Sequence, residues 1–232
     1  MNPNSSSEIL RRIGSALEAA CSVLTELAAR GTEAQYKGDD PVTVADRAVD
    51  GALRKSLLHE GEGWLSEESA DDAARLAKSR VWVVDPIDGT REFVAGVPKY
   101  CVAVAKVEKG RAVAGGICNP ATKEVFLGSV GSGLTYNGQP ARATSANNLA
   151  GALALASGSE RRRGEWDRFS SAGFRVQPVG SVAYKLARVA AGFADVTFTL
   201  NPKHEWDVAA GVALVQAARR LCLFARRPAA RF

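Results

Sequence analysis

Cysteine, long apolar runs and net charge are scarce along most of this sequence. Four cysteines occur in 232 residues, Cys21, Cys101, Cys118 and Cys222, far apart and with no C-x-x-C pair. That spacing excludes a small disulfide-framework domain and reads as core thiols of a reducing compartment. No apolar stretch nears the roughly 20 residues that span a bilayer, so no membrane partner is expected. Met1 to Ser7 is polar, without the basic and apolar regions of a signal peptide, and a cytoplasmic location is the expectation. The formal net charge of +5 is concentrated in Arg219, Arg220, Arg226, Arg227 and Arg231, with no acid among them. Apart from those five, the 25 remaining basic residues equal the 25 acidic ones, so a nucleic-acid polymer is not an expected partner. No internal repeat or heptad is visible. The glycine-rich stretch Gly131 to Gly138 has no P-loop lysine and reads as a hairpin turning at Asn137-Gly138.

A hydrophobic content of 46% with 24% charged residues is ordinary for a soluble protein. The length suffices for a full core, in one large domain or two packed halves. Apolar residues at Ile9, Ile13, Leu17, Ala20, Leu24 and Leu27 predict a helix over Glu8 to Arg30, capped by Ser7 or Ser6 and closed at Gly31. Further helices are expected over Asp46 to Leu58 and Val182 to Ala191. Tyr100 to Val107, Ala112 to Asn119 and Glu124 to Gly128 predict an antiparallel meander. Leu153 to Ala156 and Phe193 to Leu200 read as later strands. The expected organisation is a flexible 1–7, an N-terminal α+β half 8–144 carrying most of the metal ligands, and a C-terminal α/β half 145–232 supplying Asp207. From pattern alone the fold class is mixed α and β.

The most informative segment is Val81-Trp82-Val83-Val84-Asp85-Pro86-Ile87-Asp88-Gly89-Thr90. An apolar run suited to a strand buried on both faces empties into two carboxylates, a glycine and a hydroxyl, with Pro86 expected to stop the strand. Asp85 and Asp88 can converge on a hard cation, and Gly89 and Thr90 can open a helix whose unpaired N–H groups face an anion. Taken singly, each residue fits a strand end, a turn or a cap equally well; the ordered combination points to a metal and phosphate site.

Upstream lie Pro41-Val42-Thr43-Val44-Ala45-Asp46 and Leu65-Ser66-Glu67-Glu68-Ser69, and downstream Glu205-Trp206-Asp207-Val208-Ala209-Ala210-Gly211. Four blocks in this order resemble the inositol monophosphatase family over roughly Glu8 to Ala218. The resemblance implies a layered α-β-α-β-α sandwich of the inositol monophosphatase and fructose-1,6-bisphosphatase type, with its C-terminal part shortened. It also implies a phosphoric monoester hydrolase using magnesium, two or three ions per site. Carried onto this sequence, Glu67, Asp85 and the Ile87 carbonyl would hold one ion, and Asp85, Asp88 and Asp207 the second. Glu67 and Thr90 would orient an attacking water, Asp46 would hold the Thr90 hydroxyl, and the Gly89 and Thr90 N–H groups would cradle the phosphate. Without the family pattern, Asp46 and Asp207 read as helix caps.

Substrate readings are less uniform. Arg91-Glu92-Phe93 after Thr90 is more similar to the 3'(2'),5'-bisphosphate nucleotidase branch than to the inositol branch, which favours Asn-Phe. Thr199 to Lys203 fills the region where the inositol branch places an acid for ring hydroxyls. Lys185, after Gly180-Ser181, reads equally as an exposed side chain or as a cation selecting a doubly phosphorylated ligand. Arg161-Arg162-Arg163 reads as a solvated loop, His204 as a surface or hydrogen-bonding residue, and His59 has no motif around it. The expected function is hydrolysis of bisphosphate nucleotides, a small phosphorylated metabolite. Inositol 1-phosphate and fructose 1,6-bisphosphate are the alternative substrates, and a non-catalytic phosphate-binding relative is the alternative of another class. An edge strand over Leu221 to Ala225 and a homodimer through Leu221, Leu223 and Phe224 are further expectations.

Overall fold

The computed structural model describes residues 5–29, 34–37, 40–220 and 222. The chain begins with α1 (Ser6–Ala29), the hairpin of β1 (Ala34–Lys37) and β2 (Asp40–Thr43), and α2 (Val44–Leu57). Then come β3 (Gly63–Ser66), β4 (Arg80–Asp88) and the single turn α3 (Thr90–Val94). A meander follows: β5 (Cys101–Glu108), β6 (Arg111–Asn119), β7 (Glu124–Ser129), β8 (Gly133–Tyr136) and β9 (Gln139–Ala141). The remainder is β10 (Leu153–Ala156), α4 (Gly158–Arg162), β11 (Arg175–Pro178), α5 (Val182–Ala190), β12 (Val196–Thr197) and α6 (Glu205–Ala217).

Strands β3 to β9 form a seven-stranded sheet in sequence order, parallel between β3 and β4 and antiparallel elsewhere. Alternation along β4 divides the core. Trp82 and Val84 join Ile13, Leu17, Val49 and Leu53 beneath α1 and α2, whereas Val81 and Val83 join Ala187, Ala210 and Leu214 of α5 and α6. Beyond α5 lies a parallel three-stranded sheet in the order β11-β10-β12. Its far face packs Ala154 and Ala156 against Trp166, Phe174 and Phe198. The layers therefore run helix, sheet, helix, sheet, helix, the expected α-β-α-β-α sandwich.

Close approach around α6 depends on residues without side-chain bulk. A Cβ at Gly115 of β6 would lie 2.5 Å from the Ala210 carbonyl oxygen, and one at Gly211 would lie 2.4 Å from Leu186 Cβ. Both are tighter than van der Waals contact allows. Ala209 through Val215 are buried without interruption, so α6 is enclosed on every side rather than amphipathic.

Several expectations need correction. Ser5, not Ser6 or Ser7, accepts the Glu8 N–H at 3.3 Å, and α1 starts two residues earlier than expected. Pro86 does not stop β4: a register shift between Asp85 and Asp88 absorbs it, since a bulge leaves a residue without a ladder donor at no cost. The strand expected over Phe193 to Leu200 contracts to β12, because Glu160 takes the Leu200 N–H and the Thr199 hydroxyl. Cys21 and Cys118 are joined as a disulfide between α1 and β6, leaving Cys101 and Cys222 as the thiols among the described residues. The four-thiol reading failed because a contact across 97 residues leaves no local sequence signal. Among the described residues no helix is long and apolar enough to cross a membrane. The helix end at Gly31 and the features assigned to Leu221, Leu223, Phe224 and Ala225 lie outside the described residues.

Candidate active site

Strand pairing brings the acids together. Because β3 and β4 run parallel with Ser66 beside Val84, the residues that follow each pair, Glu67 and Asp85, emerge side by side. Asp85 and Asp88, three apart, would face opposite sides of a regular strand. The bulge changes that parity: Asp85 pairs with Ala103 and Asp88 with Cys101, two positions apart on β5, so both carboxylates face the α5 and α6 layer. Asp207, in the first turn of α6, completes the group. These four acids, Ile87, Gly89, Thr90, Arg91 and Lys185 line one cleft of about 1250 Å³.

The electrostatics are those of crowded carboxylates whose burial and mutual repulsion outweigh the nearby Lys185 and Lys203. Burial, then the neighbouring charges of Asp88, Glu67 and Asp207, pushes Asp85 well above the ordinary carboxylate range. Burial and Asp207 raise Asp88 to about 6, and burial followed by Asp207, Glu68 and Asp88 raises Glu67 to about 7. Burial also raises Asp207 and Asp46. Asp85 and Glu67 emerge side by side, and Asp85 Oδ1 is buried without a hydrogen-bond partner. An orphaned oxygen among mutually repelling acids fits a divalent cation. Among the described residues no three His, Cys, Asp or Glu side chains already form a closed set around an ion.

Asp46 is the third residue of α2, and Thr43 is its cap. Asp46 Oδ2 accepts the Thr43 N–H at 2.7 Å and the Thr43 hydroxyl at 2.6 Å, and its Oδ1 accepts the Thr90 hydroxyl at 3.3 Å. Thr90 Oγ1 is also 3.0 Å from the Ile87 carbonyl oxygen. Gly89 has φ +102°, and a Cβ there would meet the Lys99 oxygen and Tyr100 Cβ at 3.2 Å. Because α3 is one turn long, only its local N–H groups, not a developed helix dipole, serve an anion there. Asp207 Oδ2 accepts the His204 N–H at 2.9 Å, so it caps its helix with one oxygen and keeps the other for the cleft.

Lys185 is 3% exposed, which overturns its reading as a solvent-facing lysine. Burial lowers its pKa, and Asp88 and then Glu160 raise it in opposition. Arg162 and Lys203 also line the cleft, so one of the three consecutive arginines is not merely solvated. His204 is exposed and stacks on Trp206, in line with a surface role. Two positions escaped the sequence reading. Asp50, one turn beyond Asp46 on α2, accepts the hydroxyls of Ser66 at 2.6 Å and Ser69 at 2.5 Å and so pins the segment that carries Glu67. The Asp46-x-x-x-Asp50 spacing on one helix face was its available signal. Ser181 donates its hydroxyl to Asp88 Oδ2 at 2.7 Å.

A cleft of clustered carboxylates at the ends of β3 and β4, with bare backbone donors beside them in a five-layer α and β sandwich, defines a metal-dependent phosphatase. The chain belongs to the inositol monophosphatase family, whose family model matches residues 5–219. It is 35% identical over 199 residues to Nus factor SuhB of Pseudomonas aeruginosa, covering 77% of this chain and 70% of that one. It is 31% identical over 184 residues to a fructose-1,6-bisphosphatase/inositol-1-monophosphatase of Thermotoga maritima, covering 77% and 69%. Among solved structures, SuhB from Bartonella henselae superposes with a TM-score of 0.80 at 28% identity, over 90% of this chain and 84% of that one. CysQ from Bacteroides thetaiotaomicron, described as a bacterial member of the family, gives 0.78 at 26% identity over 94% and 88%.

Proposed function

We propose that this chain hydrolyses the phosphomonoester of a 3'(2'),5'-bisphosphate nucleotide with magnesium. Support comes above all from Lys185, buried in the same cleft as the carboxylates and accompanied there by Arg91, Arg162 and Lys203. A neutral polyol offers such cations weak hydrogen bonds, whereas a second phosphate offers paired charge. Thr199 and Lys203 also occupy the wall where an acid for ring hydroxyls is expected.

Glu67, Asp85, Asp88, Asp207 and the Ile87 carbonyl would hold magnesium, which supplies neutralisation of the phosphate, an acidified water and stabilisation of the leaving oxygen. The remaining roles belong to the chain itself. Thr43 occupies Asp46 Oδ2 with two donors, which reserves Oδ1 for Thr90. Thr90 has one hydroxyl proton, which the Asp46 carboxylate at 3.3 Å and the Ile87 carbonyl at 3.0 Å can each accept; held by either, it leaves the Thr90 lone pairs to orient a water. Gly89 and Thr90 present backbone N–H groups to phosphate oxygens where no side chain intervenes.

Steady-state kinetics with magnesium test this reading. Adenosine 3',5'-bisphosphate should exceed inositol 1-phosphate in kcat/KM by about tenfold or more, as charge-assisted contacts of roughly 1.5–3 kcal/mol require. Arg91→Ala and Lys185→Met should each narrow the gap. Equal efficiencies, or an inositol preference that survives both changes, would reverse the substrate assignment. Fructose 1,6-bisphosphate belongs in the same panel because the Thermotoga maritima relative bears that name.

A further inference from the structure

Asp88 is held from behind by a chain of donors that the reaction scheme above does not use. Its Oδ2 accepts the Ser181 hydroxyl at 2.7 Å and the Ala183 N–H at 2.6 Å. Ser181 Oγ in turn accepts the Tyr184 N–H at 2.9 Å and lies 3.3 Å from Cys101 Sγ. A hydroxyl has a single proton. With that proton on Asp88, the contact with Cys101 must run from S–H to Oγ, so thiol, hydroxyl and carboxylate form one directed series. Cys101 is fully buried and stands directly across the strand pair from Asp88.

The backbone of Ser181 carries the second observation. Its φ is +58° and ψ 130°, a conformation that favours glycine and is uncommon for any other residue. A serine that only caps a helix sits in extended backbone with negative φ, so capping α5 does not account for the strained position. Filling Oδ2 with two fixed donors does: it leaves Oδ1 as the one oxygen Asp88 can turn to the cleft, at a fixed angle.

We propose that Ser181, backed by Cys101, is a positioning residue that makes Asp88 a single-oxygen cation ligand and couples the start of α5 to the cation site. This rests on the reading of the cleft as a magnesium-dependent site. Titration with Mn2+ in the absence of substrate, with free ion read by its electron paramagnetic resonance signal, tests it on the full chain. Ser181→Gly accepts the positive φ and removes the hydroxymethyl group, the donor to Asp88 and the acceptor of the Tyr184 N–H together. It should weaken one class of bound Mn2+ about tenfold or more, the loss expected for a hydrogen bond to a charged group, with an unchanged circular dichroism spectrum. Added to Asp88→Asn, the same change should cost no further affinity, because Ser181 then has no carboxylate to aim. Cys101→Ala should weaken the same class by a smaller factor and supplies the test if Ser181→Gly does not fold. Unchanged Mn2+ affinity in the folded variants, or an equal loss on the Asp88→Asn background, would reduce Ser181 to a helix cap and overturn the proposal. A wild-type chain that binds no Mn2+ would remove the metal-site reading and the proposal together; normal wild-type binding with unaffected variants would remove the proposal alone.

Discussion

Asp88 and Thr90 are two residues apart in sequence, yet their substitutions should fail in different ways. Asp88→Asn keeps the side-chain shape and its contact with Ser181 but removes the charge that would hold a cation. Turnover should fall at least about a hundredfold at saturating magnesium, since metal activation contributes several kcal/mol. More than about a tenth of wild-type kcat would contradict the role. Thr90→Ala removes the hydroxyl shared by Asp46 and the Ile87 carbonyl, together with the small γ-methyl. It should leave the Mg2+ dependence within a few-fold of wild type while kcat falls about 10²- to 10³-fold; calorimetric loss of Mg2+ binding would show that Thr90 acts on the metal instead. The acids were legible because their order and residue types carry the chemistry directly. Lys185 was legible as a candidate cation but not in its burial, and Asp50 and Ser181 were not legible, because burial of a lysine, a clamp on the Glu67 segment and a positive φ arise only when distant elements meet.

Helices and strands were legible where the apolar spacing is regular, as along one face of α1 and α2 and along the doubly buried β5 and β6. The period failed at β4, where the bulge at Pro86 sets the common facing of Asp85 and Asp88, and at β12, where Glu160 diverts the backbone. A staple between elements gives a pH prediction. Glu62 accepts from Arg12 of α1 at 2.9 Å, from the Trp82 indole of β4 at 2.9 Å and from Lys106 of β5. Burial alone would raise Glu62, but these hydrogen bonds outweigh it and hold the carboxyl down at about 2. Burial draws Lys106 below its ordinary range as well, a cost that its pairing offsets only in part. Since Glu62 is depressed on folding, its stabilisation is complete above about pH 4.5 and is lost as pH falls toward 2. In urea melts, Glu62→Gln should cost about 3 kcal/mol at pH 7 and much less near pH 3. A pH-independent difference would show that the cluster packs rather than pairs. Gly211→Ala tests the contact between α5 and α6. The added methyl would meet Leu186, and a loss of about 1–3 kcal/mol is expected in the same melts.

Across the whole molecule, the cleft concentrates buried acids that raise one another's pKa values. Magnesium at about 100 times its dissociation constant should therefore add about 2.7 kcal/mol, raising Tm by about 5–10 °C for a chain of this size. Scanning calorimetry in magnesium and in EDTA measures this directly, and a Tm indifferent to both would argue that the acids hold no cation in the folded state. The cleft walls also differ in permanence. Asp207 stands on α6, which is walled in by β6 and α5, whereas Lys203 and Thr199 follow β12, a two-residue strand with half-exposed side chains at the margin of the thin second sheet. Amide hydrogen exchange should divide them: α6 amides exchange only through global unfolding, while those of β11 and β12 exchange through local opening. The acids and Lys185 then stand on the fixed part of the cleft, and Thr199 and Lys203 on the part that local opening would free.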